Sequence, residues 1–327
     1  MERKLRYARM TNTAWASSTN NRLVLPQRLP LRKLIIDFYV LLGGVIDTVT
    51  AMAPTSLMTR IILRAGSTPI IDAPGNSLFL MSSCLGIDRS FRHRGTAVTA
   101  CRAIIEVDFT PDLALQVSKY SEVALEINMG AATLLEDTAT ITDASTWIDV
   151  YGVEQDWQPR GFNAGTPERP QWIPATRRFL HQSKTPAASA GNTISMKERA
   201  WYNNLLFVCY DTEYTIQDAI GIGDTPNVSD FEIVLNLPNR PKDVILAGQY
   251  SGMARASLMD AGIAAPVTVA GTAGAATNDD IVGYNGMLYV PLPSQPDLRA
   301  PSSELLTTFT SAGTSVVHSM EDVCVPD

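Results

Sequence analysis

The chain has 327 residues. Because domains typically run to about 100–150 residues, this length predicts two domains rather than one. Apolar residues make up 45% and charged residues 18% of the chain, a globular composition that excludes an intrinsically disordered protein. Charge is unevenly divided: residues 1–33 carry eight Lys/Arg and one acid, a net charge of +7, whereas the remainder carries 18 basic and 32 acidic residues, a net charge of −14.

The basic N-terminal stretch is interpreted as an arm, residues 1–22, that precedes the first domain. Its charge suggests contact with something anionic, and the candidates are lipid headgroups, nucleic acid and an acidic neighbouring subunit. A flexible tail kept for solubility is the plainer alternative. We expect an anionic contact to use Arg3, Lys4, Arg6 and Arg9, because each basic residue near an anionic lipid surface contributes about 1 kcal/mol.

The first domain is predicted over residues 23–155 and consists mainly of strands. Leu34–Leu42 is rich in β-branched and aromatic residues and ends at a Gly-Gly pair, which is typical of a buried strand. Asp37 and Asp47 interrupt this longest apolar stretch, so no transmembrane helix is predicted. Further strands are predicted over Thr59–Leu63, Ser77–Ser82, Arg102–Phe109, Glu122–Asn128 and Thr138–Val150, and a short helix over Pro111–Tyr120.

Residues 156–194 are interpreted as an ordered crossover between the two domains. Five prolines and three glycines fall between Glu154 and Asn192 and interrupt regular structure there. A flexible linker would not carry so many aromatic residues, so Trp157, Phe162, Trp172 and Phe179 are expected to pin the segment to the surface.

The second domain is predicted over residues 195–327 and repeats the strand rhythm of the first. The Ala/Gly-rich stretch Gly252–Ala276 is expected to be a loop or short helix at a subunit contact, because small side chains allow close backbone approach. Two sets of short, regularly spaced strands favour two sandwiches. Strands are predicted over Trp201–Tyr210, Asp230–Leu237, Asp243–Ala247, Met287–Leu292, Leu305–Thr310 and Thr314–Ser319.

The sequence contains no recognisable catalytic, phosphate-binding or metal-binding motif, so neither an enzyme nor a cofactor is predicted. His93, His181 and His318 are far apart in the sequence and lack metal-ligand spacing. The cysteines, Cys84, Cys101, Cys209 and Cys324, form no CxxC pair and are interpreted as buried free thiols. The carboxylates that might serve a hydrolase, Glu213, Asp218, Asp279 and Asp280, are interpreted as surface acids.

Two segments resemble a known family of viral proteins. Residues 23–44, LVLPQRLPLRKLIIDFYVLLGG, resemble the first strand of double jelly-roll major capsid proteins from icosahedral viruses, including tailless phages with an internal membrane. Residues 196–207, MKERAWYNNLLF, look like a similar first strand at the start of a second jelly roll. The resemblance covers nearly the whole chain as architecture and rests on no single motif.

The resemblance implies an all-β fold of two consecutive eight-stranded jelly rolls with short helices in loops. It also implies a homotrimer that tiles an icosahedral shell in the virion after assembly in the host cytoplasm. Implied partners are neighbouring trimers, minor capsid proteins and, through the arm, internal membrane lipids or the packaged genome. Two alternatives remain: a carbohydrate-binding or glycan-cleaving double sandwich, and a minor virion protein at a vertex or spike base.

Overall fold

The protein is described from a computed structural model, in which two compact units are distinguished. The first unit holds the described residues up to Leu180 together with Pro326 and Asp327, and the second holds those from His181 to Val325. The described residues are 4–14, 18–26, 28–46, 55–85, 98–134, 140–142, 145–185, 191–196, 200–210, 228–249, 287–292, 297–299, 302–311 and 316–327.

The first unit is a sandwich whose strands follow the alternation of the sequence. Leu34, Ile36, Phe38 and Val40 are fully buried, while the residues between them point away from this core. Its elements are β1 Leu5–Ala14, β2 Asn20–Val24, β3 Leu31–Ile46, β4 Met58–Ala65, β5 Thr68–Ala73, helix α1 Gly75–Cys84, β6 Val98–Asp108, β7 Val123–Met129, β8 Trp147–Gln155, β9 Phe162–Asn163 and β10 Trp172–Ile173.

The strand order of the first unit is that of a jelly roll. One sheet has the order β1-β8-β3-β6, and the second contains the order β5-β4-β7-β2. Successive strands of the chain therefore alternate between the two sheets, except that β5 follows β4 in the same sheet and pairs with it. The last strand, β8, lies beside the first, β1. This pairing of two Greek keys defines an eight-stranded jelly roll.

The second unit repeats the same order with different strands. One set of neighbours is β16-β13-β18-β11 and the other is β12-β17-β14-β15. Edge-to-face packing of Phe207 on Phe231, with ring centroids 4.9 Å apart, joins the two sheets in its core. Its elements are β11 Ala175–Lys184, β12 Asn192–Met196, β13 Trp201–Tyr210, β14 Val228–Asn236, β15 Asp243–Gln249, β16 Met287–Pro291, β17 Glu304–Ser311 and β18 Val316–Pro326.

Two consecutive eight-stranded jelly rolls with short helical segments therefore confirm the predicted fold class. The division between the units lies between Leu180 and His181. No helix among the described residues is long and apolar enough to span a membrane. Cys84, Cys209 and Cys324 are buried free thiols, whereas the side chain of Cys101 lies outside the described part.

The structure differs from the sequence predictions at three segments. Ser77–Ser82, predicted as a strand, lies in α1, which is buried on nearly every side and so lacks the periodicity that distinguishes a helix. Residues 5–14, predicted within an arm, form β1 and pair with β8. The predicted crossover contains β9, β10 and β11, because its prolines fall mainly between these strands rather than inside them.

Smaller differences concern the ends of elements. The predicted strand 138–150 begins only at Trp147, and the predicted helix at Pro111–Tyr120 is two 3-10 turns, Pro111–Leu113 and Val117–Lys119. The Ala/Gly-rich stretch Gly252–Ala276 and the acids Glu213, Asp218, Asp279 and Asp280 lie outside the described residues.

Candidate assembly surface

The outer face of the β1-β8-β3-β6 sheet carries a row of four charged residues, one from each strand. They are Arg9, Asp149, Asp37 and Arg102, which we call the charged row. Strand alternation places them there: Asp37 lies between the core residues Ile36 and Phe38 and therefore faces outwards.

Each carboxylate of the charged row is held by the arginine of a flanking strand. Arg102 donates from Nε to Oδ1 of Asp37 over 2.7 Å and from Nη2 to Oδ2, a bidentate pair. Arg9 donates from Nε to Oδ1 of Asp149 over 3.1 Å and also from Nη2. The Tyr151 hydroxyl donates to the other oxygen of Asp149 over 3.1 Å.

The aspartates of the charged row are much more buried than its arginines. The side chains of Asp37 and Asp149 are 8% and 10% exposed, whereas those of Arg102 and Arg9 are each 54% exposed. Hydrogen bonds to the carboxylates raise the pKa of both arginines above the ordinary value, so both stay charged. The row consequently presents positive guanidinium groups to its surroundings while its negative charges lie beneath them.

Aromatic and apolar side chains surround the charged row on the same face. Tyr39 stacks on Trp147 with ring centroids 5.6 Å apart, and the Arg102 guanidinium lies 5.8 Å from the Trp147 ring centre. Ile104, directly opposite Asp37, is 37% exposed, and Tyr7 on β1 is 72% exposed. A face that combines exposed aromatics, arginine and isoleucine has the composition of a protein–protein interface.

The predicted contact residues of the N-terminal stretch are brought partly into this sheet. Arg9 belongs to the charged row, and the Arg6 side chain, 58% exposed, lies with Nε 4.0 Å from Oε2 of the buried Glu154. Lys4 precedes β1 and its backbone N–H donates to Asp156 over 3.0 Å. Arg3 lies outside the described residues. Sequence reasoning missed Asp37, Asp149 and Arg102, although an aspartate inside the apolar run of β3 is a signal of an outward-facing position.

A metal-type cluster and a groove are the two features that would bear on catalytic chemistry in the described ranges. These ranges hold no group of three or more His, Cys, Asp and Glu that could bind a metal ion. A groove of about 340 Å³ in the second unit is lined by Asp230, Glu232, Thr308 and neighbouring residues, and its two phenylalanines, Phe231 and Phe309, are buried in the core. Trp157 and Trp172, the tryptophans of the predicted crossover, do not line it.

Comparisons with known proteins find the same fold in viral capsid proteins. No family model and no curated protein matches the sequence. The MCP of STIV superimposes with a TM-score of 0.73 at 12% identity, covering 100% of this chain and 97% of that one. The major capsid protein P2 of bacteriophage PM2 gives 0.56 at 10% identity, covering 99% and 98%. PBCV-1 VP54 gives 0.59 at 10%, covering 99% and 94%.

These similarities span both jelly rolls and nearly all of each compared chain. At 10–12% identity they establish the fold and not the function. The chain has the double jelly-roll fold found in these capsid proteins.

Proposed function

We propose that this chain is a structural major capsid protein that forms homotrimers, and that the trimers tile an icosahedral virus shell. The observation that carries the proposal is the end-to-end match of two consecutive jelly rolls to capsid proteins, at a TM-score of 0.73 over 100% of the chain. An assembly role requires large self-complementary surfaces, and the exposed aromatic, apolar and guanidinium groups of the β1-β8-β3-β6 face would supply one. The chain would therefore act in the virion, and not as an enzyme.

The outer face around the charged row is the contact surface that we assign to a neighbouring copy. Its exposed guanidinium groups, Arg9 and Arg102, suit an acidic partner, and residues 34–327 of the chain carry a net charge of −14. Its exposed Tyr7 and Ile104 supply the apolar area that a stable contact needs.

The remaining parts of the proposal follow the predicted architecture. The two jelly rolls would each contribute to the shell. The basic residues at the N-terminus, Arg3 and Lys4 with Arg6, would meet an anionic surface, either internal membrane lipids or the packaged genome. Neighbouring trimers and minor capsid proteins would be the protein partners, with assembly in the host cytoplasm.

Light scattering coupled to size exclusion, followed by negative-stain microscopy, tests the proposal. The expected result is a particle of three chains of 35.5 kDa each, which forms sheets or shells at higher protein concentration. A protein that remains monomeric across the whole soluble concentration range, with folded β structure by circular dichroism, would contradict it. Copy number in purified particles separates a major capsid protein from a minor one at a vertex.

A further inference from the structure

Two of the three histidines of the chain meet on neighbouring strands of the second unit. Nε2 of His181, on β11, lies 2.9 Å from Nδ1 of His318, on β18. The rings are nearly parallel, with centroids 5.2 Å apart and planes inclined by 29°. A contact this short between two ring nitrogens requires one imidazole to donate its N–H and the other to accept with an unprotonated nitrogen.

The histidine pair connects two strands that are far apart in the sequence. His181 lies on β11, the first strand of the second sandwich, and His318 lies on β18, its last strand, so the contact joins these two strands. Next to this pair, the exposed Gln182 donates to the buried Glu321 over 2.5 Å, and the Tyr202 hydroxyl donates to the same carboxylate over 3.0 Å.

We propose that the His181–His318 hydrogen bond is an acid-sensitive latch between β11 and β18 of the second sandwich. The contact needs one of the two rings to stay neutral, because the accepting nitrogen must be unprotonated. Protonation of both rings would place two positive charges about 3 Å apart in a half-buried site. The proposal concerns the folded chain itself and holds whether or not the chain forms a shell.

The acidic groups near His318 do little to stabilise the histidine pair when both rings are protonated. Across from it on β13 stands the apolar Val208. On β18, Glu321 is already engaged by Gln182 and Tyr202, and Asp322 accepts a hydrogen bond from Asn204 over 2.6 Å. Among the described residues, the charged group that acts on His318 is His181, which opposes its protonation.

Proton linkage gives the direction of the effect. Burial, reinforced by His181, lowers the pKa of His318 from 6.5 to about 3. The open latch, in which His318 is exposed with its ordinary pKa, therefore binds a proton that the closed latch excludes. The closed state keeps its full stability above pH 6.5 and loses it progressively as the pH falls from 6.5 towards 3, up to tenfold in the opening equilibrium for each pH unit.

Hydrogen–deuterium exchange of the full-length protein at about pH 7.5 and about pH 5 tests the latch. After correction for the intrinsic pH dependence of amide exchange, opening of peptides that contain residues 181–184 and 316–320 should increase about 30-fold at the lower pH. His93→Gln is the matched control and should keep this increase. His318→Gln and the double variant with His181→Gln should abolish it. An unchanged opening equilibrium in the parent protein, or an acid response that persists in His318→Gln, overturns the proposal.

A second measurement covers the case in which the substituted proteins do not fold. With three histidines in the chain, their ring resonances can be titrated by NMR in the parent protein and assigned with His93→Gln. Of the two rings that remain after His93 is assigned, one should stay neutral at pH 5. Titration of all three rings near the ordinary histidine pKa would show that no closed, protonation-excluding latch exists.

Discussion

Asp37 of β3 and Asp149 of β8 stand directly opposite each other on adjacent strands of one sheet. Like charges in directly opposed positions destabilise a strand pair, and both carboxylates are nearly buried. The two arginines of the flanking strands remove this conflict by binding one carboxylate each. The charged row thus links four strands of the first jelly roll, because each buried aspartate needs the arginine of a flanking strand to offset its repulsion from the other aspartate.

Replacing Arg102 with Ala should destabilise the first jelly roll more than the loss of an ordinary surface ion pair. Asp37 would keep its buried charge beside Asp149 and lose its bidentate partner, so we expect a loss of about 1–3 kcal/mol in the free energy of unfolding. Urea denaturation at neutral pH measures it.

Arg60→Ala is the control for this experiment. Arg60 also forms a bidentate pair, with Asp72 at 2.8 and 2.9 Å, but its carboxylate partner is more exposed, at 28% against 8% for Asp37. Its loss should cost about 0–1 kcal/mol. Equal losses of unfolding free energy for Arg102→Ala and Arg60→Ala would mean that the buried, opposed carboxylates do not make the Arg102 pair more important to stability than a surface ion pair.

The outer face of the first jelly roll is expected to tolerate a new charge in the monomer but not in the assembly. Tyr7→Glu places a carboxylate on the same outer face at a position that is 72% exposed, directly opposite the apolar Val153 and not opposite a carboxylate. We expect its melting temperature to change by less than about 3 °C, as for most surface substitutions, whereas trimers and larger assemblies should disappear in light scattering.

Val24→Glu serves as the matched control for the interface, because Val24 is a similarly exposed apolar residue of the same unit, at 56%, on the edge strand β2. It should leave assembly intact. If both variants assemble like the parent protein, the outer face is not the contact surface, and the proposed shell function would need a different one.

Helix α1 is expected to depend on the glycine at its first position. A Cβ at Gly75 would lie 2.6 Å from the carbonyl oxygen of Thr55 and 2.8 Å from that of Met58, and neither is the movable end of a side chain. Gly75→Ala should therefore cost about 1–3 kcal/mol, measured by thermal or urea unfolding. Gly66→Asn is the contrasting variant, since Gly66 has a φ of +60° and open space around it, and asparagine adopts this conformation most readily after glycine. It should change stability by less than about 1 kcal/mol.

Strand β3 and helix α1 show which parts of the fold can be predicted from the sequence and which cannot. Strand β3 was predicted because Leu34–Leu42 is rich in β-branched and aromatic residues and precedes a Gly-Gly pair, which is typical of a buried strand. Helix α1 could not be found, because its polar Ser77 and Ser82 are buried together with its leucines. Burial of both kinds of residue depends on tertiary packing, which a single sequence does not display.

The candidate surface was harder to predict than the fold. Arg9 was singled out for its charge, but its partner Asp149 is 140 residues away in the sequence, and such a pairing depends on strand order. β1 was missed because LRYARMTNTA mixes basic, polar and apolar residues without a strong strand preference. Its strand conformation comes from pairing with β8 along nearly its whole length.

The N-terminal residues should separate into a structural and a contact role. Deleting residues 1–10 removes most of β1, uncovers the edge of β8 and leaves Asp149 without Arg9. We therefore expect lower unfolding stability and increased exchange in β8, and not merely the loss of a flexible tail. Deleting residues 1–3 spares the strand and should leave the unfolding transition unchanged.

The proposed contact with an anionic surface requires a variant that keeps the strand. The triple variant with Arg3→Gln, Lys4→Gln and Arg6→Gln removes three positive charges and leaves Arg9 bonded to Asp149. Because each basic residue near an anionic membrane contributes about 1 kcal/mol, binding to vesicles that contain anionic phospholipid should weaken by two orders of magnitude or more in a sedimentation assay, and binding of the parent protein should fall as salt is raised. Uncharged phosphatidylcholine vesicles are the control surface, and single-stranded and double-stranded nucleic acid are tested in parallel. Equal binding of parent and variant to every anionic surface would leave these residues with a role in the fold alone, in which β1 serves as the first strand of the sandwich.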